Sequence, residues 1–260
     1  MRRLFTFGCS FTDYLWPTWA DIVGCSFDEY YNAGRSGAGN NFIFQRLIEM
    51  NVTHSFTPAD TVIIMWTTYQ RHDFYKDNQW KTGGNIFHKQ ICDQEYINKY
   101  FDMKGVILHS LNVITASIDL LKAWGVKWRI SSINNLHEVL DEPILKRKYI
   151  DRLLNKRLTT EYPEFKKYET IFHGDYWISP LSPSTSYTLV EYKPKGDLFK
   201  DNHPTPREHL KWVESHGFII DPRAIDLVDQ WHDSFPGMVD SVLSWGWMDD
   251  HGIRKDIQCV

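Results

Sequence analysis

The apolar residues of this chain fall into short runs divided by polar turns, and the spacing inside each run sets its reading. Residues 4–7 (LFTF) form a short β-type run that stops at Gly8 and opens into a polar turn. Residues 17–23 predict a helix that begins at Pro17, a residue tolerated in a first helical turn, and closes at Gly24. A second short strand is expected over 29–31, running into the glycine-rich loop 32–40. Phe42, Ile43, Leu47 and Met50 recur on a helical period across 41–50. Residues 61–66 (TVIIMW) are apolar without a break, as expected of a strand buried on both faces of a parallel sheet. An amphipathic helix is predicted over 106–124, stopped by Gly125, and a further strand over 126–133.

Later in the chain the spacing predicts a basic, exposed helix over 143–158 and two more helices over 206–215 and 222–231. Two stretches, 70–104 and 160–200, show no clear period and read as insertions; a long loop of this kind in a compact domain is usually functional or a lid. The alternation of strand and helix predicts an α/β protein, a doubly wound three-layer α/β/α arrangement with a mostly parallel central sheet. No internal repeat divides the chain. The expectation is one domain over 1–260 with a C-terminal extension after about 236.

Composition narrows the function classes. A length of 260 residues supplies a sizeable core, and a net charge of -4 with scattered Lys and Arg gives no basic patch for nucleic acid. The opening MRRLFTFGCSF has too short an apolar run for a signal peptide, and no stretch is expected to span a bilayer, so a cytoplasmic protein without a membrane partner is expected. The four cysteines form no CxxC pair, which predicts neither a disulfide framework nor a zinc site. No cofactor or metal is expected; His173-Gly174-Asp175 is the single suggestive cluster. Aromatics make up 15% of the chain, with 11 Trp. They are core material first, yet so many leave room for a cleft that stacks on sugar rings.

In an open parallel sheet, ligands sit outside the carboxyl ends of the strands. Three polar loops follow predicted strands, at 8–12, 32–40 and 67–73, and all three converge there. A fourth segment, Asp201-Asn202-His203-Pro204-Thr205-Pro206, sets a histidine beside a carboxylate just before a late helix.

Those segments carry a family resemblance. FTFGCSFTDY resembles the first sequence block of the SGNH (GDSL-like) hydrolases, in which Gly-x-Ser-x-Thr ends the first strand; here it is Gly8-Cys9-Ser10-Phe11-Thr12. Asn32 through Gly37 is similar to the second block, and DNHPTP to the last. The order and separation of the three are those of the family, and they span nearly the whole chain. The wording resembles a phage and marine-bacterial branch, which leaves a phage-encoded protein open.

The resemblance implies an SGNH or flavodoxin-like fold and a serine esterase. A serine hydroxyl needs a base to remove its proton, so Ser10 would be the nucleophile, His203 its base, and Asp201 the carboxylate that orients the ring. The backbone N–H groups of Ser10 and Gly37 would face the developing oxyanion. Two departures stand out. Asp201 lies two positions before His203 rather than three, leaving a Ser-His dyad open. The third block normally places an Asn after the third strand, whereas this chain has Thr67-Thr68-Tyr69-Gln70-Arg71-His72-Asp73. Tyr69 lies nearest that position, Gln70 or Arg71 would substitute, and Arg71 at the crevice mouth would hold an anionic group.

The expected partner is a small-molecule or glycan ester, with an O-acetylated carbohydrate favoured by the aromatic content. Two other readings stay open: an acyltransferase using the same site, and a non-catalytic glycan-binding or virion-associated protein on the same fold. Plainer roles also exist for each residue. Ser10 can also be read as a turn residue, His203 as a helix cap, Asp201 as a turn former, and Cys9 as a small core hydrophobe.

Overall fold

Leu4, Phe5 and Phe7 have no exposed surface, which is what a strand flanked on both sides and covered on both faces requires. They belong to β1 (Arg3–Phe7) in a computed structural model that describes residues 1–87, 92–136, 138–140, 155–157, 162–181, 188–192, 197–201 and 203–231. β1 pairs in parallel with β2 (Glu29–Asn32) on one side and β3 (Thr61–Trp66) on the other, and β3 pairs in parallel with β6 (Lys127–Ser132). The order is therefore β2-β1-β3-β6, with the apolar run 61–66 in the interior. Beyond β6, the segment 176–181 lies along its outer edge, where Ile178 N–H donates to the Ile130 carbonyl at 2.8 Å.

The helices follow from local chemistry. α1 (Trp19–Gly24) starts at Thr18, whose side chain caps the first turn in a capping box with Asp21, so it begins two residues later than Pro17 suggests. α2 (Asn40–His54) follows β2. Between β3 and β6 lies α4 (Met103–Trp124), stopped by Gly125 in the left-handed conformation at φ 68°. By length and composition α4 could cross a membrane, but Ile107, Leu111, Ile114, Ile118 and Leu121 are buried in the core beside α2. On the C-terminal side come α5 (Pro206–Ser215), which packs against α1, and α6 over 222–231. The protein is α/β, with a four-stranded parallel sheet and helices compatible with three layers.

Several expectations need correction. The stretch 70–104 is not an irregular loop: it holds the hairpin of β4 (Arg71–Lys76) and β5 (Gln79–Asn85), then α3 (Gln94–Tyr100) and the start of α4. Asp77 and Asn78 make the hairpin turn with φ of 54° and 58°, a conformation Asp and Asn tolerate best after Gly. The stretch 160–200 contains a 3₁₀ helix (Pro163–Phe172) and β9 (Thr188–Tyr192), which pairs with β10 (Asp197–Asp201). Most of the helix expected over 143–158 lies outside the described residues, but Asn155–Arg157 is a strand, β8, paired with β7 (Glu138–Leu140). Cys9 and Cys92 are free thiols, whereas Cys25 is disulfide-bonded, a bond that the cysteine spacing does not predict. The extension after 236 lies outside the described residues.

Candidate active site

β1 is the strand at which the sheet changes direction, since successive connections lead to β2 on one side and β3 on the other. That arrangement opens a crevice beyond its carboxyl end, and Ser10 stands three residues past Phe7. The turn holding Ser10 is tight. Thr12 N–H and Asp13 N–H both donate to the Cys9 carbonyl, at 2.9 and 3.1 Å. A side chain at Gly8 would collide with Thr12, which explains physically why glycine and threonine sit four apart around the serine. Asn32, fully buried at the end of β2, ties this turn to the next loop: its amide donates to the Thr12 carbonyl at 2.8 Å, and its oxygen accepts from Gly34 N–H at 3.0 Å.

His203 arrives from the far end of the chain. It lies between β10 and α5, whose first turn is fixed by a capping box of Thr205 and Glu208 with Pro206 behind the cap. Its Nε2 lies 2.8 Å from the Ser10 Oγ. With Nε2 accepting the hydroxyl proton, the ring's own proton belongs on Nδ1. Aromatic side chains hold the ring from other directions. Tyr14 stacks on it with centroids 3.8 Å apart and planes 18° from parallel, and Phe11 meets it at 5.3 Å. Trp16 packs edge-on against Tyr14 and donates its indole N–H to the Pro204 carbonyl at 2.8 Å. Ser10 is 5% exposed and His203 is half-buried, so the serine hydroxyl has restricted access to water.

The oxyanion candidates are placed differently from one another. Gly37 has φ 79°, and its carbonyl accepts from Gly84 N–H at 3.0 Å. Neither its own N–H nor that of Ser10 has a protein acceptor among the described residues. Tyr69 is unsuited to that role: it is buried, burial pushes its phenol pKa upward, and its hydroxyl donates to the Leu136 carbonyl at 2.7 Å. Gln70 is 4% exposed with a side-chain amide that makes no hydrogen bond among the described residues, while its carbonyl accepts from Ile86 N–H. Arg71 donates to the Ala38 carbonyl at 3.3 Å and so braces the Gly37 loop. Asp201 ends β10, and its side chain lies outside the described residues.

The β4–β5 hairpin is bound to the same loop. The Asp73 carboxylate accepts from Gly39 N–H at 2.8 Å and Phe42 N–H at 2.9 Å, capping α2, and Thr82 donates to the Ser36 carbonyl at 3.1 Å. Burial raises the Asp73 pKa, opposed by those two N–H donors. Behind the loop, the Asn40 side chain makes both hydrogen bonds of the Thr67 peptide, joining α2 to the end of β3. The roles of Tyr14, Trp16, Asn40 and Asp73 were not visible in the motif blocks. The signal for two of them was the aromatic spacing 11, 14, 16 directly after the serine.

Other candidates lie elsewhere. Cys9 is fully buried, and Trp66 is core rather than cleft, whereas Trp80 is half-buried on Phe42. Among the described residues no three His, Cys, Asp or Glu side chains gather as a metal site would require, His173 and Asp175 included. A cavity of about 340 Å³ lined by Arg2, Ile63, Lys127 and Phe218 sits toward the amino ends of β3 and β6, the end opposite Ser10. No protein-family model matches the chain, and no curated protein matches it in sequence.

Proposed function

We propose that this chain is a serine esterase of the SGNH kind, built as a doubly wound three-layer α/β/α domain, that cleaves an acyl ester through an acyl-Ser10 intermediate. The observation that carries the reading is the 2.8 Å contact between His203 Nε2 and Ser10 Oγ, made by residues 193 apart in sequence at the carboxyl end of the central strand. A buried turn serine would satisfy its hydroxyl on a nearby carbonyl. A histidine brought from so far, and flanked by two aromatic rings, is what proton transfer needs.

In the proposed reaction His203 Nε2 takes the Ser10 proton as Oγ attacks the ester carbonyl carbon. The carbonyl π electrons move to oxygen, and that oxyanion faces the unspent N–H groups of Ser10 and Gly37, with the Gln70 amide as a third donor. Each such donor is worth about 10²–10³ in rate. The oxyanion collapses, the C–O bond to the alcohol breaks, and the alcohol leaves with the proton from His203. Water, deprotonated by His203, then attacks the acyl-Ser10 carbonyl. The second oxyanion collapses, the acyl C–Oγ bond breaks as His203 returns the proton to Ser10 Oγ, and the carboxylic acid is released. Asp201 is assigned to orient His203. Tyr14 supplies a π face to the imidazolium that forms in both halves.

The test is intact mass after treatment with a fluorophosphonate, on wild type and Ser10→Ala in parallel. One adduct on the wild type, absent from the variant, is expected. Absence of any adduct on folded wild type would overturn the mechanism.

A further inference from the structure

Four aromatic side chains among the described residues are exposed, Phe74, Tyr75, Tyr96 and Tyr100, and all four lie within the 71–100 segment. Three of them, joined by His72, form one row. Phe74 and His72 share a face of β4 with ring centroids 6.0 Å apart; His72 meets Tyr96 of α3 at 5.8 Å, and Tyr96 meets Tyr100 at 5.2 Å. The Tyr96 hydroxyl lies 3.4 Å from His72 Nε2, which links the strand to the helix. Lys99 leans over Tyr100, with its ammonium 5.2 Å from the ring centre.

An exposed row of large aromatics costs solubility and so marks a binding surface. Its chemistry narrows the ligand. Each ring offers a flat apolar face, while the tyrosine hydroxyls, His72 and Lys99 supply hydrogen-bonding groups beside it, a mixture suited to a molecule with C–H faces and hydroxyl edges. A nucleic-acid strand would also stack on rings, but it needs a positive groove along its phosphates. Residues 71–100 hold five Lys and Arg against four Asp and Glu. The row is nearly neutral, and so is the ligand it fits. The hairpin is anchored to the Gly37 loop through Asp73, Thr82 and Gly84. A polymer held on the row is thereby tethered to the element that carries the proposed oxyanion donor.

We infer that the His72–Phe74–Tyr96–Tyr100 row is a platform for a neutral polysaccharide. The inference rests on the esterase reading only in making that polysaccharide the carrier of the ester; binding itself is independent of Ser10.

The experiment is affinity electrophoresis of the full chain through gels containing acetylated xylan, acetylated glucomannan or dextran, with p-nitrophenyl acetate hydrolysis measured alongside. Retardation in at least one gel is expected for wild type. In the Phe74→Ala/Tyr96→Ala variant the affinity should fall at least about tenfold, while p-nitrophenyl acetate turnover stays within about twofold, as surface changes away from the reacting atoms allow. Retardation in none of the gels, or undiminished retardation of the variant, overturns the platform. So does self-association of wild type in sedimentation that the same variant abolishes, since the row is then a protein interface. Retardation by a wild type that hydrolyses no ester leaves the platform standing and removes the esterase.

Discussion

The Tyr14 ring lies nearly parallel to the His203 imidazole, 3.8 Å between centroids, on the turn that also carries Ser10. One short segment therefore holds both Ser10 and a wall for the His203 ring. Replacing Tyr14 by Ala removes that wall and lets the imidazole swing. We expect kcat/KM for p-nitrophenyl acetate to fall about ten- to a hundredfold, the scale on which small misplacements of a catalytic group act. Tyr14→Phe keeps the stack and should stay close to wild type. Equal losses in both variants would mean that the hydroxyl, not the ring, matters.

Gly37 offers a second test. Its φ of 79° is a conformation that favours glycine, and a Cβ would fall 2.6 Å from the Thr82 carbonyl oxygen. Gly37→Ala should cost about 1–3 kcal/mol, read as a melting temperature lower by several degrees. Because the loop must shift off the hairpin to make room, turnover should drop more than the stability loss alone explains. A variant with wild-type melting and turnover would show that the Gly37 backbone has no such constraint.

Asn32→Ala removes three contacts at once, those to Thr12, Gly34 and the Thr6 hydroxyl. Groups left unsatisfied in a buried setting cost about 1–3 kcal/mol each. Thermal unfolding should show one of the larger losses available to a single substitution in this chain, and fluorophosphonate labelling of Ser10 should slow with it. Unchanged unfolding would mean that water replaces the amide without cost.

His209 sets a pH dependence. It is 1% exposed on α5, and burial, with the neighbouring His203 charge, holds its imidazole down at about 3. Unfolding returns it to an ordinary histidine near 6.5. Between those values the unfolded chain binds a proton that the folded chain does not. Its contribution is thus complete above about pH 6.5 and is lost as the pH falls toward 3. At about 1.4 kcal/mol per unit, the loss amounts to several kcal/mol. The melting temperature should fall steeply across that window, and His209→Gln should flatten the fall. An equal slope in the variant would assign the acid sensitivity to other groups.

Much of this architecture was legible because its signals are local. The unbroken apolar run TVIIMW can only be an interior strand, and it is β3. Gly125 stops α4 where the periodicity ends. The three motif blocks placed Ser10, Gly37 and His203 at loop positions, and the structure brings Ser10 and His203 into contact. The 70–104 stretch misled because its hairpin strands are half-buried or exposed rather than alternating against a core, and its turn uses Asp77-Asn78 without a glycine. The Tyr69 hydroxyl pairs with Leu136, 67 residues away, a partnership that no local pattern encodes. Gln70, one residue on, is 4% exposed and makes no side-chain hydrogen bond among the described residues.

The Trp16–Pro204 hydrogen bond spans 188 residues, and it fastens the segment that carries His203 to the turn that carries Ser10. During synthesis Ser10, its turn and the central strand emerge before His203, which follows Ser10 by 193 residues. On the proposed mechanism, a nascent or truncated chain carries an unactivated serine, and reactive protein first exists once the late helix has docked. Long-range closure of this kind is slow relative to local folding, so the gain of labelling by a fluorophosphonate would clock the last step of folding rather than the first.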